Sequence, residues 1–331
     1  MTTKEGALES GVKGVVVFDT NAYRILTYGR SVEESREVAR RLADVELASG
    51  IKALANPFVI WELVSHLADP DDQAFVHCQN ALVALVEHVR LAGDSAGGIC
   101  RVADGETEPC RQLFGVVPPM AEENAGNLSK LATYVWRSAP DLSGANAQAN
   151  FRAFSDRMET LEASWLDGME ALLDGLRSQA VAVPDSKGVP KTDLKSKREF
   201  LRGRRFETAC ATGKVLNLAR AVDKQLSESE LKDAAARLRE IFPASLSLMQ
   251  KTVAKWFEAP EINLRSPKRK RANFVWDTAL CFGVGPKHQI GEAGIVFVTG
   301  DKPIHEAAQS AGCGDRVVTL SDHQSGLSFV P

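Results

Sequence analysis

Four acidic residues stand where a folded chain could use them for chemistry. They are Asp19 in GVVVFDTN, Glu62 in NPFVIWEL, Asp277 in NFVWDTAL and Asp301 in GIVFVTGD. Carboxylate oxygens suit hard divalent cations, and carboxylates that share a cleft repel one another unless a cation compensates their charge. Because the candidate ligands are Asp, Glu, Asn and Thr, with no Cys or His among them, a site built from them is expected to take Mg²⁺ or Mn²⁺ rather than Zn²⁺.

Strands and helices alternate around these acids. The predicted strands cover residues 14–18, 51–55, 294–299 and 316–320, and the predicted helices cover 31–48, 56–69, 273–282 and 303–310. This alternation favours a parallel sheet, in which the carboxyl ends of the strands face one crevice. Asp19 directly follows the first strand and Asp301 follows the strand 294–299, so both are expected at the same edge of an α/β fold.

The middle of the chain changes character and shows helical periodicity with almost no strand signal. The predicted helices there cover residues 74–90, 122–136, 147–180, 198–222, 228–241 and 245–257, with polar breaks at 93–119 and 184–196. The chain therefore divides into an α/β domain of residues 13–72 plus 262–331 and a helical insertion of residues 73–261.

Composition restricts the setting and the partners. The net charge of −3 means that nucleic-acid contact requires local basic patches. The six cysteines form no C-x-x-C pair, which favours free thiols in a reducing compartment. The beginning of the chain has no apolar core like that of a signal peptide, and no apolar run approaches the length of a membrane span. We therefore expect a cytoplasmic protein without a membrane partner.

At the four acids the chain resembles the PIN-domain nucleases. That family carries an Asp after its first strand, a Glu on its second helix, an Asp on a later helix and a final Asp in a T-x-D setting. The matching segments here are FDTN, VIWEL, NFVWDTAL and VTGD, within about residues 13–70 and 270–325. The resemblance implies a Rossmann-like three-layer fold and Mg²⁺- or Mn²⁺-dependent cleavage of RNA. It implies that the four acids are the metal ligands. It also implies that polar neighbours orient the acids, namely Thr20, Asn21, Asn273 and Thr299.

Two features depart from the family pattern. The family often carries a second acid two residues after the last Asp, where this chain has Pro303. The helical insertion is also much longer than in compact PIN proteins. The first departure leaves open whether one or two metals bind, and the second leaves open the subfamily: a toxin paired with an antitoxin, a processing enzyme or a defence nuclease. Neither decides whether the protein is a homodimer.

Two basic clusters are candidates for contact with the phosphate backbone of RNA, with DNA not excluded. The first is Lys268, Arg269, Lys270 and Arg271, directly before the Asp277 helix, and the second is Lys197, Arg198, Arg202, Arg204 and Arg205. Basic runs are more often ordinary solvated surface, so their role stays open at this stage.

Other interpretations of the same residues remain. Asp19 is also suited to cap a helix, and His66 and His305 near the acids are more typical of satisfied structural histidines. A haloacid-dehalogenase-like phosphatase would use Asp19 as its nucleophile, but its acid/base Asp is replaced here by Asn21. The third possibility is a catalytically degenerate module that binds RNA or a protein partner.

Overall fold

The computed structural model describes residues 12–90, 99–102, 105, 107–142, 145–265, 273–290 and 292–331. Within them the strands are β1 Gly14–Phe18, β2 Ile51–Ala53, β3 Val183–Pro184, β4 Pro190–Lys191, β5 Gln289–Ile290, β6 Ala293–Val298 and β7 Val317–Val318. The helices in these ranges are α1 Thr20–Leu26, α2 Val32–Ala48, α3 Pro57–Ser65, α4 Phe75–Val89, α5 Thr107–Phe114, α6 Pro119–Ser138, α7 Ala145–Arg177, α8 Leu194–Arg202, α9 Arg204–Ala221, α10 Glu228–Ile241, α11 Pro243–Glu258, α12 Asn273–Leu280, α13 Lys302–Ser310 and α14 Leu320–Gly326.

Strand β1 lies inside a largely parallel sheet. It pairs in parallel with β2 on one side and with β6 on the other, and β6 pairs in parallel with β7 and antiparallel with β5. The β-branched run of β1 is buried, as expected for a strand covered on both faces. The prediction of an α/β fold is confirmed, with a sheet that is parallel except for the antiparallel strand β5; the PIN-type assignment stays a prediction.

The register of β1 against β6 sets the geometry that matters for function. Phe18 pairs with Val298, so the residues that follow, Asp19 and Thr299, leave the sheet side by side. The backbone N–H of Asp19 donates to the carbonyl of Val298 at 3.0 Å. Chain ends that are far apart in sequence thus meet at one edge of the sheet.

Local signals account for the helices that flank the sheet. Ser31 and Glu34 form the capping box of α2, and the Asn56 side chain accepts from the backbone N–H of Phe58 while Pro57 occupies the first position of α3. The predicted strand 316–320 was wrong in extent. Only Val317 and Val318 pair with β6, because Thr319 already caps α14.

The middle of the chain is helical as predicted, with three differences. The predicted helix 198–222 is two helices, because Gly203 is extended and separates α8 from α9. The predicted break 93–119 contains α5, and the break 184–196 contains the short β3–β4 hairpin. Helix α4, which the predicted boundary places in the insertion, packs against α1 and α2. The division into an α/β domain and an insertion stays a prediction.

Candidate functional site

All four predicted acids line one small cavity at the carboxyl edge of the sheet. Asp19 follows β1, Glu62 lies on α3, Asp277 lies on α12 and Asp301 precedes α13. The cavity has a volume of about 40 Å³, more than one water molecule requires. Its other lining residues are Thr20, Asn21, Asn273, Trp276 and Leu280. Three of the four polar residues predicted to orient the acids therefore lie at the cavity itself.

Asp19 is held from two sides. Its Oδ1 accepts from the backbone N–H of Ala22 at 2.6 Å, and its Oδ2 accepts from the Thr299 hydroxyl. Asp19 thus does cap α1, but each carboxylate oxygen has a second lone pair, so capping leaves room for a further ligand. The pKa of Asp19 is raised to about 6, mainly by burial, while the two hydrogen bonds lower it and the charges of Glu62 and Asp301 contribute to the rise.

Thr299, the fourth predicted orienting residue, lies behind the cavity and joins two of the acids. Besides donating to Asp19, its hydroxyl accepts from the backbone N–H of Asp301 at 2.9 Å. Thr299 is fully buried, so this hydroxyl has no competing contact with bulk water. One side chain thus fixes the acid after β1 relative to the loop after β6.

Glu62 is oriented by the first residue of α1. The Thr20 hydroxyl donates to Glu62 Oε2 at 2.6 Å. The apolar face of α3 is buried, with Ile60 and Leu63 fully inaccessible, and this packing turns Glu62 towards the cavity. Thr20 and Glu62 are therefore a matched pair, one donor and one acceptor.

Of the four acids, Asp277 has the fewest contacts that would stabilise a negative charge on its carboxylate. Among the described residues its carboxylate makes no hydrogen bond or ion pair, although it is mostly buried. Its pKa is raised to about 8, first by burial and then by the charges of Asp301, Glu62 and Asp19 in that order. At neutral pH this carboxyl group therefore holds a proton unless positive charge enters the cavity.

Asp301 occupies the N-cap position of α13 without capping it. Its side chain makes no capping hydrogen bond, so its oxygens stay available to the cavity. Burial raises the pKa of Asp301, while His305 opposes the rise. His305 itself bonds the Thr299 carbonyl through Nε2 at 2.9 Å, which fits the structural role expected for it. His66 is also satisfied, by Asp72 at 2.8 Å.

The oxygen atoms of the cavity are suitable ligands for a hard divalent cation, but the acids are not spaced to coordinate one together. Carboxylate, hydroxyl and amide oxygens line the cavity. The pKa values of Asp19 and Asp277 are raised first by burial and then by the neighbouring acids, and a bound cation would counter both effects. Within the described part of the chain, however, no three His, Cys, Asp or Glu side chains are spaced to hold a metal ion. An ion held directly by three of the acids would therefore require them to move closer together, whereas an ion held by one or two carboxylates and water would not.

An aromatic wall links this site to the long helix α7. Trp276 lines the cavity, and its indole N–H donates to Glu162 on α7 at 2.6 Å. Trp61, beside Glu62, packs on Trp276 at 5.6 Å between ring centroids and donates to the Phe154 carbonyl of α7 at 2.9 Å. Sequence reasoning missed this support, because nothing local marks Glu162 as the partner of a tryptophan 114 residues away.

The basic residues are not all where the sequence suggested. Lys268, Arg269, Lys270 and Arg271 lie outside the described residues. Lys197 is buried and its ammonium donates to the Ser178 carbonyl, so its predicted contact with nucleic acid is wrong in this structure. Arg198 and Arg204 are exposed, Arg202 pairs with Glu258, and Arg205 donates to the Asp185 carbonyl.

Comparison of the chain with protein-family models, with curated proteins and with solved structures gives no match. No described helix combines the length and the apolar character needed to cross a membrane.

Proposed function

We propose that this protein is a PIN-like endoribonuclease that hydrolyses RNA phosphodiester bonds with Mg²⁺ or Mn²⁺. The proposal includes a Rossmann-like PIN-type domain with a long helical insertion, and a cytoplasmic setting. One observation carries it: Asp19, Glu62, Asp277 and Asp301, from both ends of the chain, line one cavity. Among the described residues that line this cavity, no Lys, Arg or His side chain is present to neutralise the four carboxylates.

The residues of the cavity favour attack by water over attack by a side chain. No Ser, Cys or Lys is among the described lining residues, and the Thr20 hydroxyl is committed to Glu62. A bound Mg²⁺ or Mn²⁺ ion would supply Lewis-acid activation of water and of the phosphate. Asp19, Glu62, Asp277 and Asp301 would hold that ion, while Thr20 and Thr299 keep two of them oriented.

A second candidate is a binding module that has lost catalysis. The absence, in the described residues, of three acids already at metal-binding spacing favours it, as does Pro303 in place of a further acid. The phosphatase alternative has no such support. Asn21 lines the cavity, but its amide cannot transfer the proton that this chemistry requires of an acid/base residue.

The test of the proposal is cleavage of labelled RNA by the purified full chain with Mn²⁺, comparing wild type with Asp277→Asn. Asp44→Asn is the matched control, because Asp44 is exposed on α2 and lies outside the cavity. We expect cleavage by wild type and by the control, and loss of cleavage in Asp277→Asn with the fold retained. Full activity of Asp277→Asn would refute the site. A DNA strand of the same sequence tests whether DNA is also cut.

The toxin role has its own experiment. If the protein acts as a toxin or defence nuclease, its expression should arrest growth, and Asp277→Asn should relieve the arrest at equal protein level. Growth unaffected by wild type would favour a processing enzyme, and no antitoxin partner would then be needed.

A further inference from the structure

A groove with basic walls lies between α8 and α11, apart from the acidic cavity. Its volume is about 470 Å³, and its lining residues are Arg202, Gln250, Lys251, Ala254, Lys255 and Glu258. A pocket of that size accommodates a unit of roughly nucleotide dimensions rather than a duplex. The groove shares no lining residue with the acidic cavity.

The positive charge of the groove follows from helical spacing. Lys251 and Lys255 are four residues apart on α11, so they project from one face of that helix. On α8, which packs against α11, Arg202 lines the groove, and Arg198 is one turn earlier on the same face of that helix, at the edge of the groove. The one acid lining the groove, Glu258, is paired with Arg202. A chain of net charge −3 thus carries a locally cationic groove.

Some basic side chains at the groove already make hydrogen bonds within the protein, and others are exposed without a partner among the described residues. Lys251 donates to the Glu306 carbonyl at 2.9 Å and to the Ser310 hydroxyl at 2.6 Å, and Gln250 donates to the Gly203 carbonyl. Lys255 and Arg198 are exposed and have no partner among the described residues. These two side chains can therefore bind an anionic ligand without breaking an existing contact.

Helix α11 connects this groove to the acidic cavity. It packs against α12, which carries Asp277, and against α13, which Asp301 precedes. Lys251 contacts Ser310 at the far end of α13, and the rise of a helix places Ser310 about 14 Å from Asp301. That span corresponds to about four stacked nucleotides at 3.4 Å each.

We propose that the α8–α11 groove binds the sugar-phosphate backbone of single-stranded RNA whose neighbouring segment reaches the acidic cavity. The proposal depends on the nuclease function for the role of the bound strand, but binding itself needs neither metal nor cleavage. Lys255 inside the groove and Arg198 at its α8 edge contact phosphates of the strand. Neither Lys251 nor Lys255 belongs to the basic clusters that the sequence indicated.

The test is fluorescence anisotropy of a labelled single-stranded RNA with the full chain in EDTA, over a range of salt concentrations. The variants are Lys255→Ala, Arg198→Ala and the double variant, all at exposed positions, and Lys130→Ala on α6 is the control of equal charge. We expect the double variant to bind roughly tenfold more weakly. The slope of log affinity against log salt should fall by about 0.7 for each cation removed.

Three results would overturn the proposal: no RNA binding by wild type, equal affinity of wild type and double variant, or competition by polyglutamate as strong as that by RNA. The last result would assign the groove to an acidic polypeptide. Binding lost in the double variant while wild type fails to cleave with Mn²⁺ would retain the groove and refute the nuclease. Cleavage by wild type together with unaltered RNA binding in the variants would retain the nuclease and refute the groove.

Discussion

The Thr299 hydroxyl donates a hydrogen bond to Asp19 across 280 residues of chain. Because the same hydroxyl accepts from the backbone N–H of Asp301, it joins the ends of β1 and β6 behind the cavity. The parallel register of these strands makes the contact possible, since Phe18 pairs with Val298 one residue earlier. The relative position of two of the four acids therefore depends on one buried threonine.

Thr299→Val should weaken the site while keeping the shape of the side chain. Loss of the hydroxyl removes both hydrogen bonds, which should destabilise the protein by about 1–3 kcal/mol and lower Mn²⁺ affinity roughly tenfold to a hundredfold. Titration calorimetry and denaturant unfolding measure the two effects. Thr299→Ser keeps the hydroxyl and should stay near wild type; equal behaviour of the Val and Ser variants would show that the hydrogen bonds do not orient the acids.

Asp277→Asn should stabilise the metal-free protein at high pH. The raised pKa of Asp277, about 8 against an ordinary value of 3.8, means that the folded state binds its proton more tightly than the unfolded state. Its contribution to stability is therefore complete below pH 3.8 and is lost as pH rises through 8. Asn does not ionise, so the variant does not lose stability at this position as pH rises.

Denaturant unfolding in chelator at pH 5 and pH 8 measures the difference. The variant should gain about 1–3 kcal/mol over wild type at pH 8 and much less at pH 5. Saturating Mn²⁺ should reverse the order, because only wild type gains stability from the bound ion. A gain in chelator that is the same at both pH values would mean that Asp277 is not protonated as described.

Local signals in the sequence account for the elements that position the acids. A buried β-branched run predicted β1, the Ser31 capping box predicted the start of α2, and Asn56-Pro57 predicted the start of α3. These elements could be predicted because the deciding interactions lie within a few residues of one another. The order of acids after strands then predicted that Asp19 and Asp301 share an edge, as they do.

Features decided by distant packing could not be predicted in this way. Helix α5 lies in a segment read as a polar break; it forms where Cys110 and Leu113 pack with α9 and α10 in a second apolar cluster. Lys197 sits in a basic run but is buried, because the Ser178 carbonyl lies within its reach. Neither partner is visible from the local sequence.

Glu162→Ala should reduce cleavage although Glu162 does not line the cavity. It leaves the indole N–H of the mostly buried Trp276 without its acceptor, at a cost of about 1–3 kcal/mol, and frees the helix that carries Asp277 to shift. Glu162→Gln keeps an acceptor oxygen and should preserve most activity. Steady-state cleavage with Mn²⁺ should show a lower kcat/KM for Ala than for Gln; identical values would exclude a positioning role of α7.

Glu46→Gln should destabilise the fold away from the site. Glu46 is buried and accepts from His88 at 2.6 Å and from His323 of α14 at 2.7 Å. Burial alone would raise the pKa of Glu46, but the two histidines outweigh it and lower the pKa. Its contribution is therefore present above the ordinary pKa of 4.5 and lost as pH falls below it.

We expect Glu46→Gln to lower the free energy of unfolding by about 2–3 kcal/mol at pH 7, measured with denaturant. Glu37→Gln, an exposed change on the same helix, should cost less than about 0.5 kcal/mol. Equal losses in the two variants would show that the histidine contacts add nothing to stability.

Binding of Mn²⁺ to the full chain tests the central claim most directly, because it asks whether acids from opposite ends of the chain act on one ion. Titration calorimetry at pH 8 should show saturable binding to wild type and to Asp44→Asn, and loss of that binding in Asp277→Asn. Binding of equal strength in wild type and Asp277→Asn, or no binding to wild type, would contradict the account.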